Sequence, residues 1–85
     1  MIRTVVWKRR AKHDLAELWM QASDRSAVTR AADRIEVQLR SGPLEAGESR
    51  DDDYRVLCIL PLIVGYRVSE EDRLVTVVRV RANRA

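Results

Sequence analysis

Arginine is the residue of this 85-residue chain whose side chain is best suited to binding or chemistry. The chain has sixteen basic residues, of which only Lys8 and Lys12 are lysine, so the other fourteen are arginine. A guanidinium is planar, stays charged and offers paired N–H donors, which match a carboxylate or a phosphate in two places at once. This choice of basic residue favours contact with an anionic partner.

The distribution of charge narrows down where that contact would lie. The net charge is +3, and a sequence pI near 9.6 agrees with an anionic partner. Residues 1–40 carry nine basic and five acidic side chains, or +4, whereas residues 41–85 carry seven and eight, or −1. All acids of the second half come before its last segment, residues 73–85, which has four arginines. This tail is therefore the basic part of the second half.

The chain has one histidine and one cysteine, and neither is predicted to do chemistry. His13 falls in the first predicted helix, where a surface or capping role is expected. Cys58 has no second cysteine to pair with, so we expect a small buried apolar residue. A metal site would need other ligands. The sequence therefore predicts no disulfide, no metal and no cofactor.

The first half of the chain is predicted to form a strand and two helices. Residues 3–7 alternate as a strand does. Apolar residues at helical spacing then form one stripe in each of two helices. The first stripe is Ala11, Leu15, Leu18, Trp19 and Ala22, and the second is Val28, Ala31, Ala32, Ile35 and Leu39. Ser23 and Asp24 can cap the second helix, and Gly42-Pro43 ends it, which predicts a helical hairpin.

The second half is predicted to supply the sheet that covers this hairpin. Residues 44–53, with five acids and a glycine, are expected to form a solvated loop. Three segments rich in β-branched residues follow, separated by Pro61 and by the acidic turn 70–72: Tyr54–Leu60, Leu62–Ser69 and Arg73–Arg81. The order β-α-α-β-β-β predicts a single α+β domain over 1–85, with the helical hairpin on one face of a small, mainly antiparallel sheet.

Residue parity within the strands assigns side chains to the two sheet faces. Even positions are nearly all apolar, including Cys58 and Tyr66, and are expected to pack on the helices. If both hairpins keep this parity, Arg55 lies beside Arg67 on the opposite face, and like charges so placed favour an anion between them. The alternative is that these arginines only keep an exposed sheet soluble. The predicted target- or RNA-binding residues are Arg55, Arg67, Arg79, Arg81 and Arg84.

The hydrophobic pattern gives no sign of a membrane protein. Hydrophobic residues make up 46% and charged residues 34%, which is typical of a folded chain rather than a disordered one. The longest apolar run, residues 56–64, is broken by Pro61 and is too short to span a bilayer. The N-terminal residues lack the apolar core of a signal peptide. The sequence therefore predicts a cytoplasmic protein.

Several short motifs follow one another along the chain. The first are Val5-x-Trp7, the segment from Ala11 to Trp19, and Arg30-Ala31-Ala32 with Ile35 and Leu39. The later ones are Pro43, Gly47-Glu48-x-Arg50, Tyr54-Arg55-Val56-Leu57, Tyr66-Arg67-Val68 and Val77-Val78-Arg79-Val80. In this order they resemble the opening strand, the first helix, the second helix and the remaining segments of the RelE/ParE toxin superfamily. The resemblance covers almost the whole chain.

The resemblance implies the toxin of a type II toxin–antitoxin system, a family that includes plasmid stabilisation proteins. It further implies a cognate antitoxin that wraps the toxin and neutralises it. One branch of the superfamily cleaves messenger RNA on the ribosome, and another poisons DNA gyrase by binding. The candidate catalytic residues implied by the resemblance, all in a cationic role, are Arg50, Arg55, Arg67, Arg79 and Arg81.

The acid and base that RNA cleavage requires are not evident in the sequence. Members that cleave RNA commonly have a tyrosine or histidine near the C-terminus, and residues 81–85 contain neither. Asp51-Asp52-Asp53 stand where some such members have lysines, and would repel phosphate. Tyr66 is expected in the core, and Tyr54 is left open. Whether the chain is an enzyme stays undecided, and the alternative is a non-toxic or decayed member that only binds a protein.

Overall fold

The computed structural model describes residues 2–51 and 53–83. These residues form three helices and five strands. A strand and three helices come first: β1 (Thr4–Trp7), α1 (Arg9–Gln21), α2 (Arg25–Ser41) and α3 (Pro43–Ala46). Four strands follow: β2 (Glu48–Ser49), β3 (Tyr54–Ile59), β4 (Leu62–Ser69) and β5 (Leu74–Ala82). The predicted α+β order is confirmed, with two short elements added between α2 and β3.

The predicted helical hairpin is confirmed together with its caps. The Asp24 carboxylate accepts a hydrogen bond of 3.0 Å from the Ala27 N–H, which satisfies a free donor at the start of α2. Gly42 follows the last residue of α2, and its N–H donates to the Gln38 carbonyl. The side of α2 that faces the sheet is fully apolar, with Val28, Ala31, Ile35 and Leu39 buried. Burial of this stripe against the sheet therefore holds the hairpin in place.

The five strands form one mixed sheet in the order β1-β5-β4-β3-β2. β1 runs parallel to β5, because both helices lie between them in the chain. The other three pairs are antiparallel. The prediction of a mainly antiparallel sheet is thus confirmed.

The predicted loop 44–53 contains more structure than its composition indicated. Pro43 is the first residue of the single-turn helix α3. Proline is favourable there, because its fixed φ angle suits a helix and the N–H that it lacks would have no partner within the helix. Glu48 and Ser49 then form the short strand β2, which pairs with Val56 and Arg55 of β3. Their two-residue strand is too short to show alternation, so no pattern could have revealed it.

The predicted faces of β3 are wrong, because the turn after β3 contains two residues. Ile59 pairs with Leu62, so Leu60 and Pro61 form the turn, and odd positions of β3 share a face with even positions of β4. Leu57 and Ile59 are consequently buried against the helices, as are Val64 and Tyr66. Cys58 points to the other face and is exposed, so its predicted burial is also wrong.

A β-bulge divides β5 into two halves of opposite parity. Tyr66 pairs with Val77 and Gly65 with Arg79, which leaves Val78 as the extra residue. Val77 is buried against the helices before the bulge, and Val80 after it. The prediction that even positions of β5 face the helices is therefore correct only after Val78. Before Val78 the odd positions face the helices. None of the described helices is long and apolar enough to cross a membrane.

Candidate target-binding face of the sheet

The helices cover one face of the sheet, and the opposite face, here called the open face, has most of the predicted site residues. Register places Arg79 beside Gly65 and Arg81 beside Ile63 on β5 and β4. Arg67 lies on the same face, because it is separated from Gly65 and Ile63 by even steps along β4. Three of the predicted arginines are therefore brought together on the open face, as the sequence indicated.

Arg55 lies on the helix side of the sheet, so its predicted place beside Arg67 is wrong. The register partner of Arg55 is Tyr66, whereas Arg67 pairs with Tyr54. The Arg55 Nη2 atom donates to the carbonyl oxygens of Leu44 at 2.7 Å and Gly47 at 2.8 Å. Arg55 thereby anchors α3 and the residue that follows it. The two-residue turn that reversed the parity of β3 is the physical reason for this correction.

Tyr54 and Arg67 form a second group on the open face. The Tyr54 ring crosses β4 at Gly65, where a side chain would collide with the tyrosine hydroxyl. The Arg67 guanidinium lies 5.3 Å from the centre of this ring and contacts the Asp53 carboxylate at 2.6 Å. Tyr54, left open by the sequence, is thus a residue of the open face. Both charged partners remain about half exposed, so the ion pair holds the ring in place only weakly.

Arg79 is paired with a helix residue at the edge of the sheet. Its Nε atom lies 3.0 Å from an oxygen of Asp14, and the same oxygen accepts a hydrogen bond of 3.1 Å from the Val80 N–H. Burial acts to raise the pKa of the Asp14 carboxyl. The hydrogen bonds from Val80 and Arg79, with the positive charges of Arg79 and Arg10, outweigh burial and hold that pKa below its usual value.

Arg50 and Arg81 line a shallow groove on the open face, here called the arginine groove. Its volume is about 360 Å³, and its apolar floor includes Val56, Cys58 and Ile63. An oxygen of the Glu48 carboxylate, which also lines the groove, lies 3.4 Å from the Arg50 Nη2 atom. Arg81 has no ion pair or side-chain hydrogen bond within residues 2–51 and 53–83. Arg81 is therefore the cation of this groove most available to an external anion.

The side chains around the arginine groove provide little for acid–base chemistry. Glu48 is the carboxylate among its lining residues and Cys58 the thiol, and no histidine or tyrosine of the described residues lines it. The amide of Asn83 lies 3.9 Å from the Cys58 sulfur but cannot exchange a proton near neutral pH. No group of three potential metal ligands occurs in the described part of the chain. The groove is suited to binding an anion.

The other predicted residues fall outside this groove. His13 is exposed on α1, with its Nε2 atom 3.5 Å from Glu17, as expected for a surface residue. Tyr66 is fully buried, which confirms its predicted role in the core. Its hydroxyl donates to the Pro43 carbonyl oxygen at 2.6 Å, and burial raises its pKa although Arg55 opposes the shift. Arg84 lies outside the described residues.

The carboxylates that neutralise the open face were missed by sequence reasoning. Asp14 was given no role, Glu48 was expected only in the solvated loop 44–53, and Asp53 was expected to repel phosphate. Each instead contacts an arginine of the open face, namely Arg79, Arg67 and Arg50 in turn. Asp14 and Arg79 are 65 residues apart in the chain, so no local spacing could have revealed this pair.

Solved structures of toxin–antitoxin proteins have the same fold as this chain. The RelBE2 toxin–antitoxin complex from Mycobacterium tuberculosis matches with a TM-score of 0.81 at 19% identity, over 96% of this chain and 92% of that one. The chromosomal ParDE system from P. aeruginosa matches with a TM-score of 0.73 at 16% identity, over 98% of both chains. The isolated E. coli RelE toxin matches with a TM-score of 0.68 at 17% identity, over 98% of this chain and 86% of that one. Identities this low establish the fold alone.

The family of the chain is established by its sequence. Among curated protein sequences, none is significantly similar to it. The family model described as "ParE toxin of type II toxin-antitoxin system, parDE" matches residues 5–84, which is nearly the whole chain. This match agrees with the fold and with the resemblance noted in the sequence. The chain belongs to the ParE toxin family of type II toxin–antitoxin systems.

Proposed function

We propose that this chain inhibits bacterial growth by binding a protein target, DNA gyrase, and that it does not cleave RNA. The observation that carries this proposal is the near-neutral charge of the open face. Its four described arginines, Arg50, Arg67, Arg79 and Arg81, are opposed by three carboxylates that lie within 4 Å of the first three. A surface with one unpaired cation is better matched to a protein than to the continuous negative charge of RNA.

The chemistry of RNA cleavage also argues for binding. Attack by a 2′-hydroxyl requires a base, an acid for the leaving oxygen and cations around the phosphate. Around the arginine groove, Glu48 could act as a base only after it left Arg50. No histidine or tyrosine of the described residues lines the groove, and Tyr54 is held over Gly65 outside it. The open face therefore has cations without a matched acid–base pair.

Membership of the ParE family supports neutralisation by a cognate antitoxin. Three of the structural neighbours are toxin–antitoxin complexes, the intact E. coli RelBE complex among them. We propose that an antitoxin binds this chain in the same way as a partner protein and prevents its contact with gyrase. Because gyrase acts on chromosomal and plasmid DNA, the cytoplasm is the proposed place of action.

Two assays on the purified chain separate binding to gyrase from cleavage of RNA. We expect the chain to inhibit DNA supercoiling by purified gyrase and to leave messenger RNA intact on translating ribosomes. Addition of the cognate antitoxin, to be sought as the product of a small neighbouring gene, should restore supercoiling. Cleavage of ribosome-bound messenger RNA would overturn the proposed mechanism. Inhibition of neither process, with no growth arrest when the gene is induced alone, would instead identify a non-toxic binding protein.

A further inference from the structure

The most basic stretch of the chain lies outside the open face. Four of the nine basic residues of positions 1–40 fall within the five positions 8–12, which contain no acid. They occupy the position before α1 and its first turn, and all four side chains are exposed. They are here called the basic patch: Lys8, Arg9, Arg10 and Lys12. The proposed contact between the open face and gyrase makes no use of this charge.

The basic patch is almost without partners inside the chain. Lys8, Arg9 and Lys12 have no ion pair or side-chain hydrogen bond within residues 2–51 and 53–83. The Arg10 Nε atom lies 3.8 Å from an oxygen of the Asp14 carboxylate, which is a long ion pair. On the open face, by contrast, three of the four described arginines have a carboxylate within 3.4 Å. The fold therefore neutralises the open face and leaves the basic patch charged.

The position of the basic patch makes its charge unfavourable for the free protein. The N-terminus of a helix has a partial positive charge, so basic side chains in the first turn reduce the stability of the helix. The first turn of α1 has no acidic residue, and the side chain of Lys8 makes no capping hydrogen bond. A negatively charged partner outside the chain would offset this cost.

The basic patch borders the open face along the edge of β5. β1 ends at Trp7, and beyond it α1 lies beside β5, where the Val80 N–H donates to Asp14. One oxygen of the Asp14 carboxylate is the partner of Arg10 in the basic patch. The other oxygen pairs with Arg79 of the open face at 3.0 Å. A molecule held beside a protein that is bound to the open face is therefore next to the basic patch.

We propose that the basic patch binds the phosphate backbone of duplex DNA beside the gyrase that the open face contacts. This inference rests on the proposed function, because gyrase holds duplex DNA. Residues 8–12 span about 6 Å along the helix axis, and the same length of duplex carries about four phosphates, one for each cation of the patch. One strand alone has half this charge density. Charge density therefore favours duplex DNA over single-stranded RNA.

The directions of the side chains also suit a duplex. Successive residues of a helix are turned by about 100°, so Arg10 and Lys12 extend to opposite sides of the exposed surface of α1. Side chains that diverge in this way reach phosphates on the two strands across the minor groove, which is about 6 Å wide. Phosphate contacts carry no sequence information, so we expect binding that is independent of DNA sequence.

Fluorescence anisotropy of a short labelled DNA duplex tests this binding on the purified chain without gyrase. We expect a Kd of about 1–100 µM at physiological salt, and a slope of about −3 to −4 for log K against log salt concentration. Lys8→Glu combined with Arg9→Glu should weaken binding by about tenfold or more and reduce the slope by about 2. Arg30→Glu with Arg34→Glu makes the same charge change at exposed positions of α2 and should alter the affinity by less than about threefold.

The variant with Lys8→Glu and Arg9→Glu should fold at least as stably as the parent, because acids are favourable at a helix start. It should bind gyrase normally in the absence of DNA, yet require about tenfold more protein to inhibit supercoiling, in proportion to its loss of DNA affinity. Equal loss of DNA affinity in the two double variants would overturn the proposal, as would tighter binding of the parent to single-stranded RNA of the same length. A chain that binds gyrase but not DNA contradicts this inference alone, and one that binds DNA but not gyrase contradicts the proposed function.

Discussion

Arg55 and Tyr66 are register partners on adjacent strands, and both side chains donate to backbone carbonyls of the same short segment, residues 43–47. Together they satisfy three carbonyl oxygens of α3 and the residue after it. Gly47 is required at the end of this segment, because a Cβ atom there would lie 2.5 Å from the Tyr66 hydroxyl. The pair therefore fixes the path of the chain into β2, which borders the arginine groove.

Arg55→Ala is expected to reduce the stability of the fold. The substitution removes two hydrogen bonds from a charged donor and leaves the carbonyls of Leu44 and Gly47 without their partner. We expect the free energy of unfolding to fall by about 2–3 kcal/mol, measured by urea denaturation. Arg67→Ala is the matched control, because its ion pair is half exposed and should contribute less than about 1 kcal/mol. Equal losses in the two variants would contradict the structural role assigned to Arg55.

Tyr66→Phe is expected to change the response of stability to alkaline pH. Burial raises the pKa of Tyr66 above its ordinary value of 10.0, so the unfolded chain loses this proton at a lower pH than the folded chain does. Its contribution to stability is complete below pH 10 and is lost as the pH rises through the folded-state pKa. The phenylalanine variant should therefore lose less stability than the parent above pH 10. It should also be less stable by about 1 kcal/mol at pH 7, because the hydrogen bond to Pro43 is lost.

The sequence predicts the fold well and the strand faces poorly, and the reason lies in two short features. Helical spacing and β-branched runs are repeated over many residues, so the hairpin and β4 were predicted correctly. The turn at Leu60-Pro61 and the bulge at Val78 each involve only one or two residues. Each nevertheless changes whether odd or even positions face the helices from one strand segment to the next. Arg55 was assigned to the wrong face for this reason. Arg79 and Arg81 were assigned correctly because they lie beyond the bulge.

Asp14→Asn is expected to weaken the contact between α1 and the edge of β5. The amide can still accept a hydrogen bond from the Val80 N–H, but it loses the charge that pairs with Arg79. We expect a loss of about 1 kcal/mol at pH 7. Because the folded-state pKa lies below the ordinary value of 3.8, this stability is present above pH 3.8 and is lost as the pH falls through the folded-state pKa. Thermal unfolding between pH 2 and 7 should show the variant and the parent converging in acid, and a constant difference would contradict the assignment.

Gly65→Ala is expected to displace Tyr54 from its place across β4. A Cβ atom at residue 65 would overlap the tyrosine hydroxyl, so the ring must leave and its contact with Arg67 is lost. We expect a loss of about 1–2 kcal/mol, measured by urea denaturation. In a Tyr54→Ala background, the same change at Gly65 should cost less than about 0.5 kcal/mol, because the colliding group is absent. Equal costs in both backgrounds would show that the backbone, and not Tyr54, requires this glycine.

The ion pairs of the open face could not have been predicted from the sequence. Arg79 on β5 pairs with Asp14 on α1, Arg67 on β4 pairs with Asp53 just before β3, and Arg50 pairs with Glu48 two residues earlier in the chain. Sequence reasoning identified the arginines as a set because they share one residue type and recur at even spacing. Their partners share neither property. Asp14 meets Arg79 only after α1 has packed on the sheet, and Asp53 meets Arg67 only after β3 has paired with β4. The near-neutral charge of the face is consequently a property of the fold.

Arg81→Glu tests whether the open face is the surface through which the toxin acts. Arg81 lines the arginine groove without an ion pair in the described residues, so its charge is the one most available to a target. The side chain is exposed, and its replacement should change stability by less than about 0.5 kcal/mol. If an acidic surface of gyrase binds here, reversal of the charge should abolish both growth arrest on induction and inhibition of supercoiling. Arg34→Glu, an equal charge change at an exposed position of α2, should retain both activities. Retained toxicity in Arg81→Glu would exclude the arginine groove as the contact and direct attention to the Tyr54–Arg67 group on the same face.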